Sequence, residues 1–503
     1  MTIDITTIGV VGAGTMGRGI AQVAATGGFD VLLIDANAGA VADAREFIAA
    51  MVNRAAEKGT MSTADAAQAI ARVQPAASLA ELRACGLVIE AVAEDLAIKQ
   101  RLFVDLEDAV REDCILASNT SALPITSIAA ACKHPERVVG SHFFNPVPLM
   151  KLVEVIDGLL TDPAVADQLV VVTRRMGRTP VRCRDFPGFL AGNVGRGYTL
   201  EAAQLVQEGV ADFHDVDKIL REAVGFPMGP FELIDNNGAD IVHRAMASVY
   251  ENFYQEPYFR PSPLLAQRVA AGLLGRKSGR GFYRYEDRRA PARVPDVAVP
   301  ADRPASVWIS REEPSAVMPL IELVKRSNVR IESGDRPSGD ALCLVTPIGE
   351  DATTTCRRLD LDARRTVAVD TLFGLDLRRT CMTTPATTQE HVRAAHGLLG
   401  DDGVPVTVIA DSPGFVAQRV VAMIVNIGCW IGESQYATPA DIDIAARLGL
   451  GYPRGPYGYA DALGARTIVR ILDALHARTR DPRYRTNGSL RRRAELDLHA
   501  AHR

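Results

Sequence analysis

The feature that most constrains this chain is that it contains part of itself twice. Asp185-Phe186-Pro187-Gly188-Phe189 recurs as Asp411-Ser412-Pro413-Gly414-Phe415. Under the same displacement, which carries position 185 onto 411, DVDKILREAVGFPMGPFELIDNNGA (215–239) falls on DIDIAARLGLGYPRGPYGYADALGA (441–465), with ten of 25 positions identical. Pro257, Arg260, Leu265 and Arg268 return one position short of it as Pro482, Arg485, Leu490 and Arg493. A shared displacement over separate blocks marks a duplicated supersecondary unit. The blocks between the repeats sort accordingly. Residues 1–184 alternate apolar strand-like runs (Ile8–Gly12, Val31–Asp35, Leu87–Ala91, Ile115–Ser118, Val138–His142) with helical patterns, which predicts a parallel, doubly wound α/β sheet. Residues 185–286 read as helical. The charged, proline-rich stretch 287–305 reads as a linker, 306–410 as a second α/β block, and 411–503 as the second helical block.

A chain of 503 residues exceeds one compact core, in agreement with several domains. Its formal net charge of −5 gives no reason to expect nucleic acid or an anionic membrane as partner. The eight cysteines form no C-x-x-C pair and no cluster with histidine, so neither a disulfide framework nor a metal site is expected. Free cysteines among apolar neighbours, with no signal-type start and no apolar run of membrane length, lead to the expectation of a cytoplasmic protein.

The first motif is Gly12-Ala13-Gly14-Thr15-Met16-Gly17, which follows an apolar strand and opens a helix. Gly12 allows the tight turn, Gly14 removes a Cβ that would block a pyrophosphate, and Gly17 lets helix and sheet approach. The helix N-terminus offers free N–H groups to the phosphates. The next strand ends in Asp35, at the spacing from Gly12 where a carboxylate suits the ribose 2′-OH and repels a 2′-phosphate. NAD is therefore the expected cofactor.

Two segments carry the chemistry. His142 ends an apolar strand, and Glu154 follows twelve residues later in a second strand-like run, Lys151–Ile156. The short proline-containing connection Asn145–Met150 lets the two runs pair and sets the carboxylate against the imidazole. Such a histidine is a general base with its tautomer fixed. Ser118-Asn119-Thr120-Ser121 opens from another strand at the edge where ligands of open α/β sheets bind, which places Ser121 to hydrogen-bond a reacting oxygen. Helix capping is the structural alternative for Ser121.

G-x-G-x-x-G, E-x-x-x-E (Glu90, Glu94), S-N-T-S, H-F-F-N-P-V, K-L-V-E-V, P-G-F and G-x-P-x-G-P-F-E-L stand in this order over residues 5–285, ending at Gly275–Tyr283. In this the chain resembles the L-3-hydroxyacyl-CoA dehydrogenase family. The resemblance implies a Rossmann domain plus an all-α domain like that of 6-phosphogluconate dehydrogenase, followed by a degenerate repeat of both. It implies that His142 is the base, Glu154 its orienting partner and Ser121 a contact to the substrate oxygen. It also puts Glu94, Lys99, Asn145 and Lys277 at nucleotide-contacting positions and Lys58 where CoA is bound. One departure stands out. The family shows P-G-F-x-x-N, with the Asn at the substrate carbonyl, whereas here Gly192 holds that position and Asn193 follows it. Asn193 is the candidate substitute, although one helical step turns a side chain by about 100°.

The second copy has lost the site. Its first strand, Ala305–Ser310, runs into Arg-Glu-Glu-Pro instead of glycines, and Cys381-Met382-Thr383-Thr384-Pro385 reads as the counterpart of H-F-F-N-P without a histidine. A structural copy that binds no NAD is expected, one that packs as the second subunit of a single-copy dimer would. The partners implied are an acyl-CoA substrate and either a homodimer or an intrachain pseudo-dimer. The doubled form resembles phenylacetate-pathway dehydrogenases of 3-hydroxyadipyl-CoA, and Arg196 is the candidate for that substrate's carboxylate tail. The alternatives are 3-hydroxybutyryl-CoA, another hydroxy-substrate such as a sugar acid, and a crystallin-like protein that binds NAD or CoA without catalysis.

Overall fold

The computed structural model describes residues 5–286 and 294–499, so the first part of the expected linker, 287–293, lies outside the described residues. The alternating apolar runs build two sheets. The first holds β1 (Thr7–Val11), β2 (Asp30–Ile34), β3 (Val73–Pro75), β4 (Leu87–Glu90), β5 (Ile115–Ser118), β6 (Val138–Phe143), β7 (Leu152–Asp157) and β8 (Thr179–Arg184), in the order β3-β2-β1-β4-β5-β6-β7-β8. Every neighbouring pair is parallel except β6 with β7, whose short connection cannot make a crossover. The second sheet holds β9 (Ser306–Ile309), β10 (Arg330–Ile331), β11 (Leu342–Val345), β12 (Thr366–Val369), β13 (Arg379–Thr383) and β14 (Val406–Ile409), in the order β10-β9-β11-β12-β13-β14. Here too one pair, β12 with β13, is antiparallel. Central strands buried on both faces explain their unbroken Val/Ile/Leu runs.

The chain divides into two compact units, Met1–Asn193 with Ser434–Leu450, and Val194–Glu433 with Gly451–Arg503. The units do not follow the repeats, because a segment of the second helical block belongs to the first unit. There Arg184 N–H donates to Tyr436 O (2.8 Å), the Phe186 and Tyr436 rings stack at 4.3 Å, and Cys183 bridges Ala437. The duplicate contact occurs inside the second unit, where Ala410 N–H donates to Val210 O (2.9 Å). Each bond is the other with the two copies exchanged, since Arg184 corresponds to Ala410 and Val210 to Tyr436.

The second unit repeats this reciprocity. Arg260 pairs with Asp481, and their respective counterparts Arg485 and Glu256 pair in turn (2.7 Å). The helices Arg196–Gln207 and Val416–Glu433 cross where a Cβ on Gly197 would lie only 2.8 Å from Ile424 Cα, so only glycine allows this approach. Contacts exchanged in both directions between equivalent positions follow the pattern of an isologous interface. Val416–Glu433 is long and apolar enough to cross a membrane, but 83% of it is buried inside the protein, as a core helix should be. The later part of the expected linker is tied down, with Asp296 accepting from Lys218 (2.8 Å) and Arg378 (2.9 Å).

Sheet register corrects one sequence expectation. Glu154 lies opposite Val181, four residues before Asp185, and Thr380 lies opposite Thr407, four residues before Asp411. His142 faces Glu154 across β6 and β7, and Asp370 N–H reaches Thr380 O (2.9 Å) one step beyond the Val369–Cys381 pair. The counterpart of His142 is thus Asp370, and Cys381–Pro385 takes the place of the Glu154 strand. H-F-F-N-P and C-M-T-T-P share only a terminal proline, while the antiparallel pairing identifies the strands directly. A shared frame supports the register. Thr126 donates its N–H (2.7 Å) and its hydroxyl (2.6 Å) to Asp185, and Thr353 makes the same two bonds to Asp411.

Arg419 binds the two helical repeats inside the second unit. Wholly buried, it donates to Glu201 (2.7 Å), Glu208 (2.7 Å), Ser412 (2.9 Å) and the Tyr484 hydroxyl (2.8 Å). Removing one partner of a buried ion pair strands the other charge, so Arg419→Met is expected to cost about 3–5 kcal/mol. Chemical denaturation should show this loss, and Arg419→Met with Glu201→Gln should recover part of it.

Candidate active site

The cradle after β1 is shaped by missing side chains. Gly12 has φ 104°, and a Cβ there would lie 2.5 Å from Ala91 O. A Cβ on Gly17 would lie 1.7 Å from Gly12 O, so turn and helix close only with glycine at both positions. Gly14, by contrast, has nothing within 4 Å of an added Cβ and leaves space in front of the turn. Helix Thr15–Thr26 begins at Gly14 with no side-chain cap and no acid in its first turn, so the N–H groups of Thr15, Met16 and Gly17 remain available to an anion. At the end of β2 Asp35 accepts from Ala13 N (2.7 Å) and Asn37 N (2.8 Å). An open cradle, an uncapped helix start and a carboxylate beside them fit a dinucleotide diphosphate with an unmodified ribose.

Next to the cradle is a network of which the sequence shows only E-x-x-x-E. Glu90 is buried and accepts from Lys99 Nζ (2.5 Å), Ser118 Oγ (2.6 Å) and Val92 N (2.7 Å). Lys99 also reaches Glu94 (3.3 Å). Glu94 accepts from Thr120 Oγ1 (2.7 Å) and from the N–H groups of Ser121 (2.9 Å) and Ala122 (3.2 Å). Burial alone would push the Glu94 carboxyl up, but the Thr120 hydrogen bond and the Lys99 ammonium outweigh it and hold it below the usual carboxylate range. The ends of β4 and β5 are thereby locked together, and the exposed Ser121 is held at the carboxyl edge of the sheet.

Across β6 and β7 His142 Nδ1 lies 2.5 Å from Glu154 Oε2. The other Glu154 oxygen accepts from Ala191 N–H (2.6 Å), in the first turn of helix Leu190–Val194. Glu154 is fully buried, so these are its means of compensating a desolvated charge. With Nδ1 committed to the carboxylate, a neutral imidazole keeps Nε2 as proton acceptor. The rings of Phe144 (4.5 Å) and Phe189 (6.0 Å) flank His142. Phe189 is buried at φ 49°, a conformation that costs about 1–3 kcal/mol and persists only where packing enforces it. Asn119, to which the sequence pattern assigns no role, accepts Phe143 N–H (2.9 Å) and fixes the end of β6.

The structure places three more of the expected residues. Asn145 lies exposed in the turn after β6. Lys58 caps the far end of helix Ala38–Glu57, about 30 Å along its axis from the end nearest Asp35. Lys277 belongs to the second unit, where it pairs with Asp240 (2.5 Å). Asn193 is drawn into the start of the helix. Its amide donates to Pro187 O (2.7 Å) and Phe189 O (2.6 Å), and its side chain is buried. Its side-chain nitrogen thereby ties the helix start, while its buried Oδ1 has no hydrogen-bond partner among the described residues. The sequence also gives no reason to place Ser434–Leu450 here. A Cβ on Gly449 would lie 2.6 Å from Leu152 Cδ2 and 3.5 Å from Ala191 Cβ, against the residues that flank and hold Glu154. Only the duplication, which pairs this segment with 208–224, hints at it.

The chain is similar to known proteins over nearly its whole length. The family described as "3-hydroxyacyl-CoA dehydrogenase, NAD binding domain" matches residues 7–186, and its C-terminal domain matches twice, over 188–285 and 414–500. The 3-hydroxyadipyl-CoA dehydrogenase of Escherichia coli K12 is 38% identical over 497 residues, covering 99% of each chain. A probable 3-hydroxybutyryl-CoA dehydrogenase of Bacillus subtilis is 42% identical over 57% of this chain and 99% of its own. A crystal structure named as 3-hydroxybutyryl-CoA dehydrogenase from E. coli K12 superposes with a TM-score of 0.87 at 36% identity, covering 98% of this chain and 99% of that one.

Replacing Glu154 by Gln keeps the shape but removes the charge that faces the imidazole. Turnover of a hydroxyacyl-CoA should fall by about 10²–10⁴-fold while NADH binding, followed by fluorescence, stays near the parent value.

Proposed function

The chain belongs to the 3-hydroxyacyl-CoA dehydrogenase family, and from that premise we propose that it oxidises (S)-3-hydroxyacyl-CoA to 3-oxoacyl-CoA at a single site in its first half. The observation that carries this reading is the His142–Glu154 pair, at the carboxyl edge of the sheet that also forms the Gly12–Gly17 cradle. When bound, NAD supplies the hydride acceptor for C3. His142 Nε2 takes the 3-hydroxyl proton, and Glu154 holds the ring in the required tautomer and compensates the charge that forms. The Ser121 hydroxyl donates to the reacting oxygen. Asp35 receives the ribose hydroxyls, with Glu94, Lys99 and Asn145 at the nucleotide and Lys58 toward CoA. Residues 1–184 and 185–286 form the working copy on this reading, and 306–410 and 411–503 keep the fold without the cofactor.

For the acyl group we favour a tail ending in a carboxylate, as in 3-hydroxyadipyl-CoA, because the relative bearing that name matches over 99% of both chains. The relatives named for 3-hydroxybutyryl-CoA support the shorter alternative. Arg196 offers the tail a cation. Among the described residues it makes no ion pair, and its Nε has no hydrogen-bond partner. Burial pushes its guanidinium down to about 10, with Tyr452 opposing, so it remains charged at neutral pH. The reciprocal contacts between repeats support an intrachain pseudo-dimer, and the eight free cysteines a cytoplasmic setting.

Two measurements test this reading. His142→Gln should lower kcat for acetoacetyl-CoA reduction by about 10²–10⁴-fold with NADH binding retained, and near-parent turnover would remove the assignment. Arg196→Ala should lower kcat/KM for 3-hydroxyadipyl-CoA by about 10- to 100-fold, the size of a lost charged hydrogen bond, and leave 3-hydroxybutyryl-CoA unaffected. Equal losses on both substrates would rule out a tail contact.

A further inference from the structure

One segment of the second helical block lies against the strand that carries Glu154. Ser434–Leu450 belongs to the same compact unit as residues 1–193. Its first residues grip the end of β8. Tyr436 O accepts from Arg184 N–H (2.8 Å), Ala437 bridges Cys183, and the Tyr436 ring stacks on Phe186 (4.3 Å). Its helix, Pro439–Leu450, buries Ile442, Ala445 and Ala446 and brings Gly449 against Leu152 and Ala191. The segment thereby holds both ends of the turn 183–191. That turn makes the left-handed step at Gly188 and Phe189 and delivers Ala191 N–H to Glu154 (2.6 Å).

Gly449 is the point of closest approach. Leu152 lies two residues before Glu154 on β7, so the two side chains leave the same face of the sheet. Leu152 and Ala191 are both fully buried. A Cβ on Gly449, 2.6 Å from Leu152 Cδ2 and 3.5 Å from Ala191 Cβ, would press on the strand that carries Glu154 and on the helix start that holds it. The second copy provides the comparison. Leu448 and Gly449 correspond to Glu222 and Ala223, and Leu152 corresponds to Arg378. There the exchanged contact is an ion pair, with Glu222 accepting from Arg378 Nε (2.8 Å). Both copies keep the contact, but glycine stands only where the gripped strand bears Glu154 and not where it bears Thr380.

We propose that Ser434–Leu450 completes the first copy's site, and that Gly449 is a positioning residue acting on Glu154 through Leu152 and Ala191. The second copy then serves turnover as well as the fold, by holding the carboxylate that orients His142. This inference rests on the dehydrogenase reading above.

The test uses the full-length protein, with kcat counted per NADH bound in a fluorescence titration. Gly449→Val should lower kcat for acetoacetyl-CoA reduction by about 10- to 100-fold, while KM for acetoacetyl-CoA and the affinity for NADH stay near the parent values. Adding Leu152→Ala removes as much volume as the valine brings in, so the double variant should regain most of the lost kcat. Gly449→Ala presses on Leu152 with a single methyl and keeps the inference testable should the valine variant fail to fold. Its kcat should fall by about three-fold or more, with the same recovery on Leu152→Ala. Parent-like kcat in the variant that folds, a loss shared with NADH affinity, or a loss that Leu152→Ala leaves unchanged overturns the positioning role and leaves the dehydrogenase reading in place. A parent protein that turns over no 3-hydroxyacyl-CoA overturns that reading itself.

Discussion

The structure of the first half depends on one buried carboxylate. Glu154 is removed from water and tolerated only because both of its oxygens are engaged, one by His142 Nδ1 and one by Ala191 N–H. These bonds tie β6, β7 and helix Leu190–Val194 to one point. The antiparallel turn of the chain between β6 and β7 brings the imidazole across from the carboxylate. The left-handed step at Gly188 and Phe189, just before the helix, brings in the amide and adds a ring beside the histidine. An unpaired charge at this depth would be too costly to keep, so the pair, the turn and the helix start stand or fall together.

The second copy shows which parts of this arrangement belong to the fold and which to the chemistry. Both copies keep the antiparallel pair, the P-G-F step and the threonine held twice by aspartate. They differ where a reaction would take place. Asp370 stands in place of His142, Thr380 in place of Glu154, and Gln418 in place of Gly192. At the position of Asn193 the second copy has Arg419, whose buried ion pair with Glu201 binds the helical repeats together. In this copy the equivalent positions Gln418 and Arg419 make buried contacts that hold the fold together.

Much of the fold is legible in the sequence because it rests on short-range signals. Alternating strand and helix patterns, the Gly12–Gly17 turn and Asp35 at the end of β2 all lie close in the chain. The facing of His142 and Glu154 is legible for the same reason, as two strands with a short connection leave few registers that pair them. One reading fails, and another needs the structure, where the information comes from elsewhere. A matching proline points to Cys381–Pro385 as the counterpart of the His142 segment, whereas sheet register assigns Asp370. Adjacency to Gly192 offers Asn193 as a substitute for a missing amide, and only the structure tells that its nitrogen is engaged by the Pro187 and Phe189 carbonyls while its oxygen has no hydrogen-bond partner among the described residues.

By itself the sequence determined the duplication, the glycine turn after β1 and the facing of His142 and Glu154, since each is written in residues near one another or repeated at a constant displacement. Only the tertiary structure decided that Ser434–Leu450 packs beside β7 and β8, that Lys99 and Glu90 are joined in one buried network, and that Gly192 faces open space. Burial and hydrogen-bond closure depend on residues far away in the chain. A local pattern cannot state which of two polar side chains the core will consume and which it will leave to a ligand.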